Sequence, residues 1–72
     1  MPRFIINKIP QANGDHEVHN ATTWCKYMPN SENQIDLGIH NSCHDAVAYA
    51  KQKWPGNRID GCFYCANLCH TS

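Results

Sequence analysis

Residues 34–54 read QIDLGIHNSCHDAVAYAKQKW. Their first half alternates. Ile35, Leu37 and Ile39 point one way, Asp36 and Gly38 the other, as on a half-buried strand running from Gln34 to His40. The second half changes period. Ser42 is a good N-cap, and Asp45, three residues on, supplies the acidic partner of a near capping box. Ala46 to Lys53 then runs without a breaker, with Lys51 and Lys53 in the last turns where they complement the helix dipole. Pro55-Gly56 ends the run. This predicts a helix over about 42–54, with Cys43, Val47, Ala50 and Trp54 on one face. A strand followed at once by an amphipathic helix points to an α+β domain.

The flanks extend the pattern. Phe4 to Ile9 is rich in β-formers and predicts a first strand. Asn13-Gly14 signals a hairpin of the type I′ class, in a loop that the flanking Pro10-Gln11-Ala12 makes longer than the ideal two residues. Asp15 to His19 is then the return strand, with His16 and Val18 on one face and Glu17 and His19 on the other. Residues 20–33 read as irregular, with loop chemistry at Met28-Pro29-Asn30-Ser31. Arg58-Ile59-Asp60 is a short last strand, and Gly61 turns the backbone into a cysteine-rich tail. The expected fold is a small, mainly antiparallel sheet of three to four strands with one helix packed on it, a single domain over residues 1–72, closed by a C-terminal knuckle.

The chain has 72 residues, five of them cysteine and five histidine. A chain this short buries only roughly 60% of its unfolded surface, and such domains often carry a disulfide or metal staple. Formal charge is zero, with six basic and six acidic residues. That lacks the electrostatic footprint of a nucleic-acid binder, though Lys51, Lys53 and Arg58 lie close in sequence. No stretch approaches the ~20 apolar residues of a membrane span. The first ten residues are too interrupted for the apolar core of a signal peptide. The expected compartment is therefore the cytoplasm, where clustered cysteines more often mean metal or catalysis than disulfides.

Cys62 and Cys65 form a C-x2-C pair just after the Gly-ended strand. A tight knuckle there aims both sulfurs at one point. Structural zinc takes four tetrahedral ligands, commonly from two such pairs. Cys25, after the second strand, is the natural third ligand, and His19, six residues earlier, is the choice for the fourth. His16 and Cys69 are its substitutes. Cys69 lies four residues after Cys65 and shares its face if the tail makes a helical turn. Cys43 lies on the core face of the helix and reads as a buried small hydrophobe. His40 and His44 bracket the helix start and read as solvated. His70 reads as mobile unless it ligates. Trp24, Trp54, Phe63 and Tyr64 read as core or site cover.

Other chemistries fit less well. Cys62-Phe63-Tyr64-Cys65 has the spacing of a thioredoxin-like pair but lacks the βαβ context and the following helix. Cys65 to Cys69-His70 is one residue longer than the c-haem attachment motif. An iron–sulfur cluster on Cys25, Cys62, Cys65 and Cys69 ranks below zinc. No Gly-rich phosphate loop, useful carboxylate pair or H-E-x-x-H is present.

The order of parts resembles the metal-binding module of the Ada DNA-repair protein family and related small cysteine-rich modules appended to nucleases. The shared layout is a strand ending Val18-His19, then Cys25, a strand at Ile35 to Ile39, a Ser-capped Ala-rich helix, and a closing Cys62-x2-Cys65. It covers residues 15–65 or so. It implies a structural zinc held by Cys25, Cys62, Cys65 and one further ligand, which His19 could supply. The Ada module has a C-x3-C pair where this chain has only Cys25, so its methyl-accepting chemistry is not carried over. The tail from Ile59 to Ser72 also looks like that of short bacterial proteins of no assigned function.

Three functional readings follow. The leading one is a zinc-stabilised, non-catalytic interaction module with a protein partner, or less favoured a nucleic acid, and no membrane. The second is a thiol-redox or Cys-based enzyme on Cys62 and Cys65, with Cys43 or Cys69 as resolving thiol. The third is a metal-free structural domain with packed thiols or a disulfide.

Overall fold

The computed structural model describes residues 1–23 and 25–71. Four strands, β1 (Arg3–Asn7), β2 (Asp15–Asn20), β3 (Gln34–Ile39) and β4 (Arg58–Gly61), form one sheet in the order β3-β1-β2-β4. One helix, α1 (Cys43–Lys53), packs on it, and short 3-10 turns lie at Ser31–Asn33 and Asn67–Cys69. The expected α+β class is what the molecule adopts. β1 pairs antiparallel with both β2 and β3. β4 pairs parallel with β2, matching Val18 to Gly61. A parallel edge demands a crossover, and α1 is that crossover, carrying the chain from one edge of the sheet to the other.

The hairpin loop is longer than two residues, as Pro10-Gln11-Ala12 implies, but Asn13-Gly14 does not form the type I′ turn it signals. Among the non-glycine residues described none has positive φ, so Asn13 stays in ordinary backbone space and only Gly14, at φ 92°, goes left-handed. The turn runs from Gln11, whose carbonyl accepts from Gly14 N–H at 2.8 Å. The Asn13 side chain instead accepts from Asp15 N–H at 2.9 Å, an Asx turn.

β3 departs from the simple alternation. Phe4 pairs with Gly38 but Ile5 with Asp36, so Leu37 is an extra residue and the strand bulges. Gly38, at φ 84°, supplies the left-handed backbone the bulge uses. The consequence is a change of face. Leu37 is buried toward the helix, while Ile39 stands 61% exposed on the other side.

Ser42 caps α1 as expected, its Oγ accepting from Asp45 N–H at 3.4 Å. Cys43, Ala46 and Ala50 are its buried residues, with Val47 and Trp54 packed at the margin of the core. That core joins Phe4, Ile6, Val18, Leu37 and Ile59 of the sheet to the helix, Ala66 and Cys69. Small alanines let the helix approach the sheet closely.

Cys43 and Cys69 form a disulfide, 26 residues apart in sequence. It ties the first residue of α1 to the tail beneath it. Cys43 is thus buried, as its helix face implies, but as half of a staple rather than as a packed thiol. Gly61 is needed for this arrangement. A Cβ there would come within 2.6 Å of Cys69 Cβ and 2.7 Å of Ala66 O. Its role is close approach, not the turn its sequence position suggested.

A candidate Cys3His metal centre

Ile5 and His19 pair across β1 and β2 on the sheet face opposite the helix. Both are fully buried, although no helix covers that face. What buries them is the loop after β2, which carries Cys25, and the knuckle after β4, which carries Cys62 and Cys65. The strand period decides this: Val18 and Gly61 face α1, so their neighbours His19 and Cys62 face away.

His19 Nδ1, Cys25 Sγ, Cys62 Sγ and Cys65 Sγ all lie within 4.8 Å of one another. Cys25 and Cys62 sulfurs are 3.7 Å apart. His19 Nδ1 is 3.8 Å from the Cys25 sulfur and 3.4 Å from that of Cys65. Zinc–sulfur bonds of ~2.3 Å and zinc–nitrogen bonds of ~2.0 Å place tetrahedral ligand atoms roughly 3.5–3.8 Å apart. The four side chains therefore fit a single tetrahedral ion.

The backbone around the sulfurs is arranged for anions. The N–H groups of Cys65 and Tyr64 turn toward the Cys62 sulfur and lower its pKa. Asn20 N–H donates to the Cys65 sulfur at 3.4 Å. Ala66 N–H closes the knuckle on Cys62 O at 2.9 Å. Asn20 is held in turn by its own Asx turn, its side chain accepting from Thr22 N–H at 2.9 Å.

Burial nevertheless dominates. It raises the pKa of Cys62, despite those N–H groups, and it pushes the Cys65 thiol well above the ordinary range. Burial also lowers the pKa of His19, which favours the neutral, ligating imidazole. With protein alone around them these thiols keep their protons. A divalent cation is the partner that would compensate several thiolates in one dry place. His19 Nε2 is buried with no hydrogen-bond partner, and Glu17 Oε1 stands 3.8 Å away. A carboxylate on the outer nitrogen is the usual second partner of a metal-bound histidine. With four protein ligands and no open position, such a site is structural in type.

His16 and Cys69, the substitutes for the fourth position, lie elsewhere. His16 faces the helix side of β2, its Nδ1 3.0 Å from Asn7 O. Cys69 is in the disulfide. Two of the other histidines also differ from expectation. His70 is pinned, with Nδ1 3.1 Å from Gly61 O and 3.2 Å from Asp60 Oδ2. His40 is tucked in, its Nε2 2.6 Å from Leu37 O and its ring beside Phe4 and Tyr49. His44 is exposed, as expected. Phe63 and Tyr64 are exposed rather than core. They rim the site, with Tyr64 against Tyr27 at 4.7 Å between ring centroids and edge-on to Phe63. Trp24, read as core or cover, lies outside the described residues.

Compared with known protein families, curated proteins and solved structures, the chain matches none. The site stands on its own geometry.

Proposed function

We propose that this chain is a small zinc-stabilised, non-catalytic interaction module. Zinc would be held by His19 Nδ1 and the sulfurs of Cys25, Cys62 and Cys65. The observation that carries this reading is the convergence of those four buried atoms at tetrahedral spacing. Three sulfurs and one imidazole favour zinc over harder ions, which prefer oxygen. The ion's role is to hold shut a sheet face that has little apolar cover of its own. The exposed rim of Tyr27, Phe63 and Tyr64 is the surface offered to a partner. Aromatic side chains are enriched at protein interfaces. A neutral chain favours a protein partner over nucleic acid.

The thiol-enzyme reading has less support. Reactive cysteines have depressed pKa values, whereas burial raises those of Cys62 and Cys65. Among the described residues no helix is long and apolar enough to cross a membrane. We assign the chain to the cytoplasm on its three free thiols. In that compartment the Cys43–Cys69 bond meets reductants.

The test is metal analysis of purified protein together with thiol titration. One zinc per chain is expected, with Cys25, Cys62 and Cys65 reacting only after chelation. A metal-free protein that keeps its fold in chelator would refute the reading.

A further inference from the structure

The helix face carries a second ligand set that the disulfide conceals. Cys43 Sγ, Cys69 Sγ and a ring nitrogen of His44 lie within 4.8 Å of one another. We propose that Cys43, Cys69 and His44 form a redox-gated second metal site, which takes a zinc-class ion once the Cys43–Cys69 bond is reduced.

The geometry outlasts the bond. The two Cα atoms are 6.2 Å apart, held by α1 on one side and by the tail on the other. Cys69 is also fixed by its N–H to Ala66 O at 2.9 Å. Breaking the sulfur–sulfur bond therefore leaves both thiols facing each other, with His44 beside them on the first turn of α1. Cys43 is the first residue of that helix, behind the Ser42 cap. A thiolate there meets the positive end of the helix dipole, which makes it a good leaving group and a good ligand. A cavity of about 270 Å³ opens onto Cys43 and His44, bordered also by Pro2, Asn20, Ala66 and Leu68. It admits an attacking thiolate and leaves room for water as a fourth ligand.

The chemistry balances with an external dithiol as reductant. One of its thiolates attacks a protein sulfur, forming a mixed disulfide and expelling the other cysteine as thiolate. The donor's second thiol closes its own disulfide and releases the remaining cysteine. Two electrons pass from the donor to the protein, which gains two protons as its thiols form. Metal binding then displaces those two protons.

The two ligand sets share no residue, although Cys65 also borders this cavity, so the C43S/C69S chain is what lets the two sites fail separately. The full chain is prepared oxidised and, anaerobically, reduced with dithiothreitol that is then removed by gel filtration. Both forms are titrated with zinc alone, read by elemental analysis, and with cobalt(II), read by its thiolate charge-transfer absorption. The folded state is followed by circular dichroism. Reduced protein should bind one ion more than oxidised protein. The C43S/C69S chain should bind no extra ion under either condition. H44A should weaken the extra ion tenfold or more while leaving the oxidised stoichiometry unchanged. If oxidised protein binds none, reduced protein binds one and reduced C43S/C69S binds none, the Cys3His reading falls and this one holds. Equal stoichiometry in both redox states overturns the proposal, as does an extra ion kept by C43S/C69S or an unchanged affinity in H44A. So does a reduced chain that loses its fold and does not regain it with zinc.

Discussion

The two faces of this sheet are closed by different means. On one, Phe4, Ile6, Val18, Leu37 and Ile59 pack against a helix, and a disulfide adds a covalent tie. On the other, Ile5 and His19 are equally buried, yet what lies over them is a loop and a knuckle meeting through three thiols and an imidazole. The first face has a hydrophobic core of its own, to which the disulfide is added. The second has little to hold it except whatever binds those four atoms. A chain of this size cannot build two apolar cores, and it spends its cysteines where the core runs out.

The contrast is broken most directly by removing the zinc proposed for the Cys3His centre. Structural zinc contributes roughly 10–16 kcal/mol in zinc-finger peptides. A domain of this size has a total stability on the order of 4–11 kcal/mol. Chelation, or Cys62→Ser, should therefore unfold the chain at 25 °C, seen as loss of the β signal in circular dichroism. Zinc rebinding to the unfolded chain near pH 7 should release roughly three protons, one from each of Cys25, Cys62 and Cys65, because ordinary thiols are mostly protonated there and the ion binds thiolates. Calorimetry in buffers of different ionisation enthalpy reads that number. Affinity should fall as the pH falls, because protons then compete with the ion.

The other face should yield less. Opening the disulfide in C43S/C69S removes a loop closure of 26 residues, worth about 3.5 kcal/mol on the chain-entropy relation. Denaturant titration should show that loss while the Cys3His centre keeps its zinc. If the zinc leaves too, the faces are not independent. Gly61→Ala sits between them, with Cys69 against it and Cys62 beside it. Overpacking there should cost about 2–3 kcal/mol and disturb both disulfide and knuckle. Ser42→Ala should cost only ~1 kcal/mol, the value of a helix cap, by thermal melting.

Much of the helix face was legible in advance, because its signals are local. Ser42, Asp45 and the run of alanines announce a capped helix from neighbouring residues alone. The period of two on β2 was enough to put Glu17 and His19 on one side and Val18 on the other. The misreadings came where a distant contact decides. Nothing in Leu37-Gly38-Ile39 itself says that Leu37 will be surplus to the pairing with β1, yet that bulge turns Ile39 outward. A helical turn in the tail would put Cys69 on the face of Cys65. Instead Ala66 leaves helical space, at φ −145° and ψ 44°, and the chain folds back under Gly61 to meet Cys43. A clue was present: once three thiols and a histidine are grouped, two cysteines remain, one of them on a core-facing helix position. The parallel pairing of β4 had no local signature, since it depends on where the crossover lands.

That parallel edge sets an order of events during synthesis. His19 and Cys25 emerge together as half a site, and Cys62 follows Cys25 by 37 residues. At about 5–20 residues per second the interval is roughly 2–7 s. Throughout it a thiol and an imidazole stand open to any passing ion or oxidant. The strand that brings their partners cannot dock until α1 has crossed the sheet. On the zinc reading, metal capture is then the last act of folding, and the ribosome's pace sets how long the half-built site must wait.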